Sequence, residues 1–182
     1  MRIVGIAGSL RSGSFNAALL RAAVEECPKS ATLEMESIRG IPLYDGDLEA
    51  QGFPSRVAEL KDRVAAADAL LLVTPEYNNS IPGTFKNAID WMTRPPADVP
   101  RVFRGKPVGL IGASPGMHGT VLSQTAWLPV FRTLGVRPFF GQLLYVGGAA
   151  KVFDASGRLV DETMRKRLRS YLEGFVAFVA SG

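Results

Sequence analysis

The chain has 182 residues, of which 47% are hydrophobic and 21% charged, a composition that fits one folded domain with a full core and excludes a disordered protein. With one cysteine, Cys27, and one histidine, it lacks the residues for an internal disulfide framework or a structural zinc site. The formal net charge is +4, but the lysines and arginines are scattered apart from a cluster at 165–169, which argues against a nucleic-acid partner.

Strand-like and helix-like segments alternate along the chain. The predicted strands are Arg2 to Ala7, Leu33 to Ile38, Ala69 to Val73, Val108 to Ala113 and Val136 to Val146. The predicted helices cover 14–27, 57–67, 82–92, 120–134 and the segment from Asp161 onwards. Pro129 is expected to kink the fourth helix and Gly135 to end it. The proline- and glycine-containing segments 41–53 and 94–107 are predicted as loops.

This alternation predicts an α/β protein with a parallel sheet and helices on both faces. The segment 69–73 is apolar throughout, as expected for a central strand covered on both sides. Right-handed crossovers leave few topologies, among them the flavodoxin-like and the dinucleotide-binding strand orders. In either order, a ligand is expected beyond the carboxyl ends of the strands, where the loops after the first, third and fourth strands meet.

The first of these loops, residues 8–16, has the composition of an anion site. Its glycines allow backbone N–H groups to approach closely, its hydroxyls can donate, and the following helix begins at its end. The spacing of Gly8 and Gly13 matches the start of a nucleotide P-loop, but the lysine that this motif requires is replaced by Ser14. The dinucleotide glycine fingerprint is also absent. A monophosphate site remains, with a simple helix-capping turn as the alternative.

The second loop, from Thr74 to Pro82, suggests a site for a planar heterocycle. Two prolines stiffen it, and an aromatic ring and two amides project from it, which suits a flat ligand with polar edges. The alternative interpretation is a rigid turn into a helix. We accept that alternative for Phe85, Ile89 and Met92, which we expect in the core, but not for residues 75–78.

Taken together, these motifs resemble those of the NADPH-dependent FMN reductase family, and most closely its branch of bacterial quinone and chromate reductases. The residues that carry the resemblance are 8–16 (GSLRSGSFN), 74–78 (TPEYN) and the segment from Pro82-Gly83 to Trp91. The resemblance extends from the first strand to the last helix. It implies a flavodoxin-like three-layer sandwich in a single domain, 1–182, with a five-stranded parallel sheet of order 2-1-3-4-5.

The resemblance also implies the cofactor, FMN, and the residues that hold it. Ser9, Arg11, Ser14 and Asn16 are expected to bind the FMN phosphate, with Phe15 supplying a backbone amide. The flavin ring is expected to be bordered by Pro75, Glu76, Tyr77 and Asn78. NAD(P)H would deliver hydride to FMN, which would pass the electrons to quinones, flavins, chromate or azo compounds. Because the cofactor carries out this chemistry, no side chain is assigned as a catalytic acid or base.

The third loop, residues 114–120, departs from the pattern of the family. Relatives have a Ser/Gly-rich loop here that closes on the flavin, and this chain retains Ser114 and Gly116, which are expected to contact the cofactor. It also contains Met117 and His118; we interpret His118 as a surface residue rather than a proton donor. A homodimer or homotetramer is implied, although Pro129 alters the helix surface that relatives use for assembly.

Three other protein classes compete with this interpretation. A flavodoxin-type electron carrier without NAD(P)H oxidation would normally be strongly acidic, whereas this chain is basic. A P-loop nucleotide hydrolase would need the missing lysine, and a response-regulator domain would need aspartates where Gly8 and Ser9 stand.

The N-terminal apolar run is short and no stretch is long enough to span a bilayer, so we expect a cytoplasmic enzyme that acts on small molecules. The preference for NADPH or NADH is left open.

Overall fold

The computed structural model describes residues 1–182 and contains one parallel sheet of six strands. The strands are β1 (Arg2–Ala7), β2 (Thr32–Ser37), β3 (Ala69–Val73), β4 (Pro107–Ala113), β5 (Arg137–Pro138) and β6 (Leu144–Val146). Their order is β2-β1-β3-β4-β5, and β6 also pairs with β4. The flavodoxin-like order predicted for the sheet is therefore confirmed, with one strand more than expected.

Eight α-helices connect and cover these strands. They are α1 (Phe15–Glu25), α2 (Gly46–Gln51), α3 (Ser55–Ala66), α4 (Gly83–Met92), α5 (Val99–Val102), α6 (Val121–Leu134), α7 (Ala149–Val152) and α8 (Glu162–Ala180). Buried residues of α1 and α8 form a core with one face of the sheet. Those of α3, α4 and α6 form a second core with the other face. None of the helices combines the length and the apolar character needed to cross a bilayer.

The predicted fifth strand is divided into two short strands, β5 and β6, and each of them pairs with a different part of β4. β5 pairs with residues 107–108 of β4, and β6 pairs with residues 111–113. Between them, the hydroxyl of Tyr171 accepts a hydrogen bond from the N–H of Leu110 at 2.8 Å and donates to its carbonyl at 3.2 Å. A buried side chain from α8 thus replaces a stretch of strand. Burial raises the pKa of Tyr171 well above its ordinary value, so the hydroxyl remains protonated and can donate.

Replacing Tyr171 with phenylalanine is expected to lower the free energy of unfolding by about 1–3 kcal/mol, because both backbone groups of Leu110 lose their partner. Urea titration followed by circular dichroism measures this loss. The matched control is Tyr145→Phe, since Tyr145 is half-buried and its hydroxyl forms no hydrogen bond within the protein. Equal stability of the two variants would contradict the role given to Tyr171.

Two of the predicted loops contain short helices. Helix α2 lies within 41–53, where the Asp45 side chain accepts a hydrogen bond from the N–H of Asp47. Helix α5, preceded by a 3₁₀ turn, lies within 94–107. Lys61 fixes this second segment, since its buried ammonium donates to the carbonyl of Arg94 and pairs with Asp98, both at 2.7 Å. Helices of this length depend on such tertiary contacts rather than on local propensity.

Helix α8 matches its prediction closely. Asp161 caps it by accepting a hydrogen bond from the N–H of Met164 at 2.7 Å. Within the basic cluster at 165–169, Arg165 and Arg169 bind the carboxylate of Glu26, whose side chain is 8% exposed. Burial acts to raise the pKa of Glu26, but the two arginine hydrogen bonds outweigh it and lower that pKa. Half of the basic cluster therefore joins α8 to α1 instead of forming a continuous solvated face.

Candidate cofactor site

The carboxyl ends of β1, β3 and β4 open into one crevice. Its lining consists of Ser9, Arg11, Ser14, Phe15, Asn16, Pro75, Glu76, Tyr77, Ala113, Ser114 and Pro115. All the predicted site residues except Asn78 and Gly116 are among them. Three segments that are distant in the sequence therefore converge as expected from a parallel sheet.

The first loop ends in an arrangement that suits a phosphate. Ser14 is the N-cap of α1, and its hydroxyl oxygen accepts a hydrogen bond from the N–H of Ala17 at 3.2 Å, which leaves the hydroxyl proton free to donate. The N–H groups of Phe15 and Asn16, in the first turn, have no intrahelical acceptor. No acidic residue lies in this turn, and Arg11 is exposed beside it. Free donors, the helix dipole and a guanidinium together favour a bound anion.

The Asn16 side chain makes a contact that the sequence did not indicate. Its side-chain amide donates to the carbonyl of Ala113 and accepts from the N–H of the same residue, both at 2.8 Å. Asn16 is buried, with 4% of its surface exposed. This pair of hydrogen bonds joins the start of α1 to the end of β4, and so joins the first loop to the third.

The second loop forms a tight turn at the rim of the crevice. Tyr77 and Ser80 exchange backbone hydrogen bonds of 3.2 and 3.0 Å. Between them, Asn78 and Asn79 have φ values of 49° and 62°, the left-handed conformation that asparagine tolerates better than most residues. The turn leaves Tyr77 48% exposed beside the opening, while Asn78 lies outside the crevice lining.

The remaining side chains of the second loop attach it to helix α6. The carboxylate of Glu76 accepts hydrogen bonds from the N–H groups of Leu122 and Ser123 at 2.8 and 3.0 Å. The buried hydroxyl of Thr74 lies 2.9 Å from that of Ser123 and accepts from the Trp127 indole at 3.1 Å. The Glu76 side chain is therefore engaged with the helix, while the residue itself lines the crevice.

The third loop is held by contacts of its own. The hydroxyl of Ser114 accepts a hydrogen bond from the N–H of Gly116 at 3.0 Å. The loop packs closely on the segment after β6, where a Cβ atom at Gly147 would lie 2.1 Å from the carbonyl oxygen of Met117. The Met117 side chain is 89% exposed, and His118 is exposed without a hydrogen-bond partner. His118 thus lies at the surface, outside the crevice lining.

Three residues near the site were missed by the sequence analysis. Ala113 and Pro115 complete the crevice lining between predicted residues. Arg39, just after β2, donates from its guanidinium to the carbonyl of Leu10 at 2.7 Å and so contacts the first loop. The position of Arg39 at the carboxyl end of a strand adjacent to β1 is the one signal that could have identified it.

The sheet order defines a flavodoxin-like protein, and the free donors at the start of α1 suit a phosphate-bearing cofactor. The sequence profile of the NADPH-dependent FMN reductase family matches residues 1–151. An NAD(P)H-dependent FMN reductase from Pseudomonas aeruginosa is 41% identical, over 98% of this chain and 95% of that protein. A quinone reductase from Escherichia coli is 36% identical, over 98% and 95% of the two chains.

A solved structure agrees with this assignment. The flavoenzyme NAD(P)H:(acceptor) oxidoreductase FerB from Paracoccus denitrificans superimposes with a TM-score of 0.88 at 34% identity, covering 99% of this chain and 97% of that one. The chain belongs to the NADPH-dependent FMN reductase family. It is accordingly an oxidoreductase that uses FMN as cofactor and NAD(P)H as co-substrate, as the resemblance implied.

Proposed function

We propose that this enzyme is a quinone reductase that holds FMN in the crevice at the carboxyl ends of β1, β3 and β4. One observation carries the proposal: the start of α1, whose free N–H groups suit a phosphate, and the exposed aromatic ring of Tyr77 line the same crevice. The names of several relatives support the acceptor class, since proteins from Burkholderia, Pseudomonas putida and E. coli at 36–37% identity are quinone reductases. Free flavins, chromate and azo compounds are further candidate acceptors.

The proposed contacts follow the three loops. The phosphate is assigned to Ser9, Arg11 and Ser14 with the backbone N–H groups of Phe15 and Asn16, and the ring to Pro75, Tyr77, Ser114, Gly116 and the backbone of Glu76 and Asn78. When bound, FMN supplies the transfer of electrons from NAD(P)H to the acceptor. The chain contributes a fixed cradle: the Ser14 cap and the free N–H groups hold negative charge without reorganising. Tyr77 borders an open side through which donor and acceptor can enter in turn.

Replacing Arg11 with alanine is expected to raise the dissociation constant of FMN about 10- to 100-fold, because a charge-assisted contact with phosphate contributes about 1.5–3 kcal/mol. Quenching of flavin fluorescence on titration of the apoprotein measures the constant. Riboflavin, which lacks the phosphate, should bind equally to wild type and variant. The matched control is Arg167→Ala, an exposed arginine of α8 without an ion pair. An unchanged FMN affinity in Arg11→Ala would refute the phosphate assignment.

The acceptor class is tested by steady-state oxidation of NADH and of NADPH with a panel of acceptors. The panel comprises benzoquinones, naphthoquinones, free FMN, chromate and an azo dye. We expect the highest kcat/KM with a quinone, because a flat apolar acceptor matches the pyrrolidine ring of Pro75 and the aromatic ring of Tyr77 in the crevice lining. A clear preference for free FMN or for chromate would replace quinone as the proposed acceptor.

We further propose that the chain works as one FMN-binding domain in a cytoplasmic homodimer or homotetramer. Exposed apolar side chains on α6 and on the segment between β5 and β6 support self-association: Leu122, Leu128, Phe140 and Leu143 are 48%, 42%, 60% and 56% exposed. The lone, unpaired Cys27 fits a reducing compartment. Light scattering coupled to gel filtration tests the oligomeric state.

A further inference from the structure

Helix α6 begins without a cap of its own. Its N-cap residue, Thr120, makes no capping hydrogen bond, and its first turn contains no acidic residue. The Thr120 hydroxyl instead accepts from the side chain of Gln124 at 3.1 Å. Because the first N–H groups of a helix have no intrahelical acceptors, α6 requires a partner from elsewhere in the chain.

Glu76 is that partner. One carboxylate oxygen accepts from both Leu122 and Ser123, at 2.8 and 3.0 Å, across 46 and 47 residues of sequence. Its neighbours Pro75 and Tyr77 line the crevice, so the anchored residue lies in the middle of the segment assigned to the flavin ring. The contact between Thr74 and Ser123 provides a second attachment of this loop to the same turn of α6.

The contact also has an electrostatic consequence. A helix N-terminus carries a partial positive charge equivalent to about half an elementary charge. The full negative charge of Glu76, which lies against the start of α6 and itself lines the crevice, more than offsets this partial charge. A negative charge near a group that gains electrons disfavours its reduced form, and in a partly exposed site this effect is reduced but not abolished by solvent.

We propose that Glu76 is a positioning residue that sets both the placement of the second loop and the reduction potential of the bound cofactor; this rests on the proposed FMN site. Through its two backbone hydrogen bonds it holds Pro75 and Tyr77 at the crevice. Through its charge it lowers the potential. Its side chain acts by way of the loop and the helix, and only its backbone is assigned to the ring.

Two variants separate these effects. Glu76→Ala removes both hydrogen bonds and should raise the FMN dissociation constant at least tenfold. Glu76→Gln retains an oxygen that can accept both bonds, so its FMN affinity should stay within about threefold of wild type. In the same variant, the reduced form of FMN should be favoured over the oxidised form about tenfold more than in wild type. For a two-electron couple, this corresponds to a reduction potential about 30 mV higher. Fluorescence titration of the apoprotein and anaerobic equilibration of the FMN-loaded protein with a reference dye measure the two quantities.

The matched control is Asp161→Ala, which removes a comparable carboxylate cap from α8. It should lower thermal stability without moving either FMN affinity or potential. Wild-type FMN affinity in Glu76→Ala, an unshifted potential in Glu76→Gln, or equal loss of affinity in the Asp161 control would each overturn the proposal. Failure of the wild-type protein to bind FMN would instead refute the proposed site, so the two failures are distinguishable.

Discussion

Replacing Gly112 with alanine is expected to lower the free energy of unfolding by about 3 kcal/mol and to prevent the protein from retaining FMN during purification. A Cβ atom at this position would lie 2.2 Å from the carbonyl oxygen of Thr74 and 2.2 Å from the hydroxyl of Thr120. Thr74 begins the second loop and Thr120 precedes α6. The strand, the loop and the helix would therefore have to separate at the point where the crevice is assembled.

Urea unfolding of the apoprotein and the flavin-to-protein absorbance ratio after gel filtration measure the two effects of Gly112→Ala. Gly46→Ala serves as the control, because Gly46 is exposed at the start of α2 and a Cβ there meets nothing within 4 Å. That variant should keep wild-type stability and its flavin. A fully loaded, stable Gly112→Ala protein would show that the close approach seen here is not required.

Replacing Asn16 with alanine is expected to destabilise the apoprotein by about 2–6 kcal/mol and to weaken FMN binding by at least tenfold. The change leaves the N–H and the carbonyl of Ala113 without partners, and each unpaired buried polar group costs about 1–3 kcal/mol. The first and third loops would also lose the contact that holds them together.

The stability of the apoprotein is the informative measurement for Asn16. A residue that served only as a phosphate ligand would affect FMN affinity and leave the unfolding of the apoprotein unchanged. The control is Ser12→Ala, an exposed residue of the same loop that forms no hydrogen bond within the protein. If Asn16→Ala and Ser12→Ala unfold at the same urea concentration without FMN, the structural role of Asn16 is wrong.

The elements with strong patterns were predictable because local chemistry determines them. The apolar strand at 69–73 has the predicted boundaries. Ser14 and Asp161 are the N-caps with which α1 and α8 begin, and Gly135 ends α6 with a φ of 66°. Pro129 lies within α6, whose predicted extent holds to within a residue. In each case, the signal consists of residues close in sequence, whose conformational preferences do not depend on distant partners.

Elements that depend on distant partners were predicted incorrectly. The segment 136–146 has the composition of a strand, yet it is divided because Tyr171 occupies the middle of its pairing edge on β4. Residues 99–102 form a helix in a segment that contains four prolines between 94 and 107. Lys61, more than thirty residues away, fixes that segment. No local pattern reports such contacts.

By itself, the sequence indicated which three loops meet at the crevice, and its motifs of consecutive residues carried the resemblance that implied the strand order and the cofactor class. Only the tertiary structure decided what individual side chains do there. Asn16 joins two loops, Glu76 caps a helix 46 residues away, and Asn78 lies outside the crevice lining. The physical reason is that a motif specifies which donors and charges are present. Their partners are set by how separate strands and helices pack against one another.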